Sequence, residues 1–170
     1  MKLLAAIGAV TIVAAVAASI YFFGGFYSVA ATEPHFEVVA WALERVREAS
    51  IKRHSADVPP VSLEDPAIVQ TGARAFAERG CVNCHGAPGA TWAKFSEGLR
   101  PDPADLVEVG KEHDPGQLFW VIKNGLKFTG MPGFGLIGAS DKEIWAIVAF
   151  VKKLPNVSEE DFKLWSAPPR

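Results

Sequence analysis

The chain has 170 residues, 17 Lys and Arg against 19 Asp and Glu, a formal charge of −2 and two Cys. The length suits one ordinary domain with accessory segments. The charge lacks the basic excess of a nucleic-acid binder, and two Cys cannot make a disulfide scaffold or a four-ligand zinc site by themselves. Lys2 is the only charged residue among the first thirty, which leaves 16 basic and 19 acidic groups, or −3, in residues 31–170. Leu3–Phe23 is an uncharged run of 21 residues, close to the roughly 20 that a helix needs to cross the hydrocarbon core. Lys2 ahead of it keeps the N-terminus cytoplasmic by the positive-inside rule, and Tyr21, Phe22, Phe23, Phe26 and Tyr27 would form an aromatic belt at the outer interface. Ser28-Val29-Ala30 offers a competing reading, the small-x-small cleavage site of a signal peptide, although the apolar run is longer than the usual signal core. Residues 1–31 are expected to be a membrane anchor or an uncleaved signal. Both readings put the remainder on the outer face of a bacterial cytoplasmic membrane, in the periplasm.

Residues 32–64 read as an amphipathic helix and a linker. Thr32 is a candidate N-cap and Pro34 fits a first helical turn. Phe36, Val39, Ala40, Leu43, Val46, Ser50 and Ile51 recur at three- and four-residue steps as far as about His54, with Glu48 and Lys52 placed for an i,i+4 pair. Asp57-Val58-Pro59-Pro60 ends that helix. A domain over 65–170 opens with Asp65 as N-cap and Pro66 at the first helical position, carries apolar Ile68, Ala75 and Phe76, and stops at Gly80. Residues 86–114 are rich in Gly, Pro, Asp and Ala and read mostly as loop. Pro115–Asn124 is a short helix closed by Gly125. Ser140-Asp141-Lys142-Glu143 is a capping box that opens a helix with Ile144, Ile147, Val148 and Val151 inward, and Pro155 prevents much continuation. Ser158 to Asp161 can cap one last short turn. No segment alternates with period two for long enough to make a strand, so the predicted class is all-α.

Cys81-Val82-Asn83-Cys84-His85 is C-x-x-C-H, the attachment sequence of c-type haem. Two thiols three positions apart on a turn can each add across one haem vinyl group, and the next residue offers an imidazole to the iron. A zinc site would want a second Cys/His pair nearby, and a dithiol oxidoreductase a strand before the motif where this chain has a helical pattern. A second axial ligand decides between carrier and catalyst. Met131 lies 46 positions after His85 in Thr129-Gly130-Met131-Pro132-Gly133-Phe134-Gly135, a Gly/Pro-rich turn able to hold a thioether against iron. An isolated Met usually fills a core gap, but this setting favours ligation. His113, in a polar turn, is the rival ligand and would give a lower potential. His35 and His54 are 19 positions apart, about 28 Å along a helix, too far to share a metal, and read as surface groups.

C-x-x-C-H after a helix, a Met loop, and a C-terminal helix with Trp145 and Phe150 together resemble a class I c-type cytochrome over about residues 65–155. The resemblance implies an all-α class I cytochrome c fold around one covalent haem c, with His85 and Met131 as axial ligands. It implies a close crossing of Gly72 and Phe76 with Trp145 and Phe150, and a proline carbonyl, Pro101 or Pro103, accepting the proximal His hydrogen bond. Leu106, Leu118 and Ile122 would wall the haem, and Trp92, Lys94 and Arg100 would meet its propionates. The anchor and residues 32–64 are departures from the small soluble members. The job expected of such a group is single-electron transfer, with no general acid, base or nucleophile. The expected contact face is Cys81, Ala87, Pro88 and the Met131–Phe134 loop. Adding two propionates takes the outer part to about −5. The expected role is a membrane-tethered carrier between a quinol-cytochrome c oxidoreductase and a terminal oxidase or reductase. The alternatives are a fixed cytochrome c subunit of an oxidoreductase complex, or a haem enzyme or gas sensor with Met131 off the iron.

Overall fold

The computed structural model describes residues 1–33 and 36–167, and the chain divides into two units, Met1–His35 and Phe36–Arg170. The first unit is helix α1, Lys2–Phe23, followed by a short aromatic turn. Among the described residues α1 is the one helix long and apolar enough to cross a membrane. Two of its polar side chains bond within the helix: the Thr11 and Ser19 hydroxyls donate to the carbonyls of Ile7 and Ala15. That is what a helix without access to water requires. At its end the rings of Tyr21 and Phe26 stack, and Phe22 and Tyr27 pack beside them.

The second unit is helical throughout its described residues. Helix α2 runs from Glu37 to His54, with Phe36 rather than Thr32 at its N-cap position. Thr32 lies in a turn, and the expectations for Pro34 and His35 fall outside the described residues. The apolar stripe predicted along α2 is mostly exposed within this unit. Only Ile51 is buried, while Ala40, Leu43 and Val46 are exposed. The reason is reach: α2 packs on α6 (Pro115–Asn124) through its C-terminal turns, and its first half lacks a covering surface within this unit. Glu48 pairs with its neighbour Arg47 at 3.3 Å rather than with Lys52.

Helix α3, Pro66–Glu78, starts where Asp65 accepts a hydrogen bond from the Ala67 amide and stops short of Gly80, whose φ is +76°. Helix α4, Val82–His85, is a single turn. The stretch expected to be loop contains a 3-10 turn at Lys94–Gly98 and helix α5, Leu106–Glu112, capped by Asp105. Helix α6 has the Asp114/Gln117 capping box, and helix α7, Asp141–Lys153, starts at Ser140, whose hydroxyl accepts from the Glu143 amide. Helix α8, Glu159–Trp165, returns against α3.

Helix α7 is the centre of the unit. Every residue from Ile144 to Val151 is buried, because α3, α5 and α6 all pack against it. The α3–α7 crossing is the closest contact. A Cβ on Gly72 would overlap the Ala146 carbonyl oxygen, so only glycine lets the two backbones meet there. Phe76 and Phe150 pack beside the crossing with ring centres 5.2 Å apart. Trp145, expected at the same contact, instead stacks on Phe119 of α6 at 4.2 Å. Arg79, just after α3, forks onto Glu143 with nitrogen–oxygen distances of 2.6 and 2.9 Å. That ion pair clamps the start of the C-x-x-C-H turn to α7.

Candidate functional site

The α3–α7 crossing fixes where the motif begins. The Cys81 amide donates to the carbonyl of Phe76, so the motif hangs directly from the end of α3. Gly80 and Gly86, both in the left-handed region with φ of +76° and +68°, bracket the turn and free it from the helix before it. Within it the Cys84 and His85 amides both donate to the Cys81 carbonyl. Positions three apart on such a turn share a face, and both cysteines are free thiols that line one cavity. Burial pushes the Cys81 thiol up to about 12, so its sulfur is held neutral.

The His85 Nδ1 lies 2.9 Å from the Ala104 carbonyl oxygen. A carbonyl only accepts, so Nδ1 carries the proton and Nε2 keeps its lone pair. Burial lowers the His85 pKa and the hydrogen bond to Ala104 partly offsets this, which favours a neutral imidazole. The acceptor is therefore Ala104, not Pro101 or Pro103 as expected. Asp105 is the N-cap of α5 and its carbonyl takes the first helical bond, from Val109. The carbonyl just before it, Ala104, falls outside the helical ladder and is left available to His85.

Met131 also lines this cavity. Its loop is tied by a relay: the Met131 amide donates to the Thr129 hydroxyl, which donates to the Leu126 carbonyl, while the Leu126 amide donates to the Met131 carbonyl. Two glycines let the loop fold back on α6. A Cβ on Gly125, at φ +70°, would stand 2.5 Å from the Gly133 nitrogen, and one on Gly133 would stand 2.7 Å from the Asn124 oxygen.

The cavity holds about 440 Å³, and Leu106, Leu118 and Ile122 line it as expected. Trp92, Lys94 and Arg100 are not among its lining residues. Lys94 pairs with Glu97, and Arg100 with Asp102 and the carbonyls of Glu97 and Leu99. The charged side chains at the cavity are instead Arg47, Glu48, Arg79 and Asp102. Arg47 and Glu48 come from α2, which nothing in the sequence pattern tied to the motif. His113 lines the cavity too, with Nδ1 3.3 Å from the Gln117 amide oxygen. His54 lies away from the motif, stacked on Trp120 at 5.8 Å. Within the expected contact face, Phe134 is buried in the core, whereas Phe128, Leu136 and Ile137 nearby in sequence are exposed. Among the described residues no group of three or more His, Cys, Asp or Glu side chains is arranged to hold a bare metal ion.

The residues present fit haem. An apolar hollow of this size is lined by two thiols, an imidazole with its Nε2 lone pair available, and a thioether. A family model described as "Cytochrome C oxidase, cbb3-type, subunit III" matches residues 67–151, half of the chain. The match runs from the start of α3 nearly to the end of α7 and leaves α1, α2 and α8 outside. No curated protein and no solved structure gives a match.

Proposed function

The chain belongs to this family of class I c-type cytochrome domains, whose work is haem-based electron transfer, and from that premise we propose a membrane-tethered single-electron carrier with one covalent haem c. In this reading Cys81 and Cys84 would hold the haem through thioether links, and His85 and Met131 would hold its iron. Helix α1 anchors the chain in a bacterial cytoplasmic membrane with the second unit in the periplasm. There it passes electrons between a quinol-cytochrome c oxidoreductase and a terminal oxidase or reductase.

The observation that carries the reading is convergence. Both thiols, an imidazole oriented by the Ala104 carbonyl and the Met131 loop line one apolar cavity. Bound haem would supply a one-electron Fe(III)/Fe(II) couple, and a thioether ligand from Met131 would favour its ferrous form. The chain's own residues do the rest. Ala104 fixes the His85 ring, the Thr129 relay holds Met131 in place, and Leu106, Leu118 and Ile122 keep water from the cavity. With His85 and Met131 both holding the iron, electron transfer would need neither a proton donor nor a nucleophile from the protein.

Denaturing electrophoresis with haem staining of the full chain tests attachment: wild type stains and the Cys81→Ser/Cys84→Ser double variant does not. The ferric spectrum tests ligation. Met131→Ala abolishes the sulfur-to-iron charge-transfer band and admits carbon monoxide to the ferrous protein, whereas His113→Ala leaves the spectrum unchanged. A wild-type spectrum without that band, with His113→Ala and not Met131→Ala admitting carbon monoxide, would make His113 the ligand.

A second reading, a fixed haem subunit of an oxidase complex, is favoured by the family's description and by the exposed apolar side chains on the first half of α2. Purification in mild detergent separates the two. A carrier comes away alone, and a subunit brings a stoichiometric enzyme.

A further inference from the structure

Helix α2 lies wholly before the segment that matches the family, yet Arg47, Glu48 and Ile51 from its last two turns line the cavity that holds the C-x-x-C-H turn. Ile51 is only 5% exposed, and it is the one buried side chain of the helix. Two contacts away from the cavity seat this end of α2. His54 stacks on Trp120 of α6, and the chain just after α2 passes so close to α6 that a Cβ on Gly116 would stand 2.6 Å from the Asp57 carbonyl oxygen.

Resting on the haem reading above, we infer that the last two turns of α2 are a cover over the haem, closing one wall of its cavity and raising its reduction potential by excluding water. The ferric form carries one more positive charge than the ferrous form. A wall that replaces water with apolar side chain therefore costs the ferric form more, and burial and solvent exposure are established levers on a haem potential. Net charge is the lesser part of what α2 adds. Arg47 pairs with Glu48 at 3.3 Å and reaches Glu44, which does not line the cavity, at 3.8 Å, so the wall itself receives one cation and one anion. The other charges at the cavity are paired as well, Arg79 with Glu143 and Asp102 with Arg100. The apolar seal at Ile51 has no such compensation.

The test is a spectroelectrochemical titration of the full haem-loaded chain in mild detergent, with the ligation spectrum recorded for every variant. Ile51→Ser opens the wall. Gly116→Ala leaves the cavity lining untouched and improves α6 by helix propensity, but pushes the chain after α2 off that helix. Both are expected to shift the reduction equilibrium about tenfold toward the ferric form, 59 mV for a one-electron couple, with the axial ligands unchanged. Ile51→Val, and Val46→Ser on the exposed part of α2, are expected to titrate with wild type. The cover is refuted if Ile51→Ser and Gly116→Ala keep the wild-type potential, or if Val46→Ser shifts as far as they do. Should Ile51→Ser fail to fold, Gly116→Ala alone decides. A wild-type chain without covalent haem would overturn the function proposed above and the cover with it, whereas a loaded chain whose potential ignores α2 overturns the cover alone.

Discussion

Substituting Gly72 by alanine adds one methyl group at the tightest point of the molecule. The new Cβ would overlap the Ala146 carbonyl oxygen and stand 2.5 Å from its carbon and 3.0 Å from the Phe150 Cβ. Ordinary contact begins near 3.4 Å, so the carbon alone demands that α3 and α7 part by about 0.9 Å. The obstacle is backbone, which cannot rotate aside, so the cost falls at the upper end of the overpacking range, about 3 kcal/mol. Alanine recovers about 1 kcal/mol over glycine through helix propensity. The net loss is about 2 kcal/mol, or about 8 °C in melting temperature for a domain near 100 residues. Far-UV circular dichroism melts of the full chain, wild type beside Gly72→Ala in the same detergent, measure it. Gly98→Ala is the control, because a Cβ there meets nothing within 4 Å. A Gly72→Ala chain that melts at or above the wild-type temperature would refute the reasoning, since propensity alone would then have decided the outcome.

Arg79 holds the Glu143 carboxyl below its usual range, so the pair stabilises the fold above the ordinary value of 4.5 and loses that contribution as pH falls through the lowered folded value. Glu143→Gln is expected to cost about 0.5–1 kcal/mol near neutrality and to converge with wild type in acid. Parallel denaturant titrations across pH measure this, and a constant gap would show that the ionised pair is not the cause. Thr129→Val removes the hydroxyl between the Met131 amide and the Leu126 carbonyl. On the proposed Met131 ligation, losing those two hydrogen bonds, worth about 1–2 kcal/mol together, is expected to raise the Met-dissociated fraction of the haem protein about tenfold. Carbon monoxide binding to the ferrous form reads that fraction, and binding no faster than in wild type would count against the relay.

What the sequence made legible was local. Asp65-Pro66, Ser140-x-x-Glu143 and Asn124-Gly125 each set a helix end with atoms a few residues apart, and each end lies where its capping chemistry puts it. Helix α5 escaped notice because Gly110 and the Pro/Asp-rich approach to it mimic loop, although Asp105 with Glu108 three positions on is itself a capping signal. Gly110 serves packing there, since a Cβ would stand 2.7 Å from the Val151 carbonyl oxygen. The stripe on α2 established a helix but not what would cover it, because periodicity reports a face and not its counterpart. At the site, Cys81, Cys84, His85 and Met131, singled out by residue type and spacing, line one cavity. The acceptor for His85 could not be singled out in that way, because every residue has a carbonyl and only the path of the chain selects Ala104. The approach of Arg47 and Ile51 to the cavity was equally hidden, being a tertiary contact made by a helix outside the motif-bearing segment.

Gly72 and Ala146 are 74 positions apart, and their meeting closes the chain between them into one large ring. Nearly everything that lines the cavity hangs within that ring, from the cysteine turn to the methionine loop. The entropy of closing a ring grows only with the logarithm of its length, so doubling it adds about 0.6 kcal/mol. A segment such as 91–98, which does not line the cavity, can therefore be lengthened, shortened or recoloured with charge at little expense to the clasp. Lineages, or designers, can refit the surface of that segment while the buckle stays fastened.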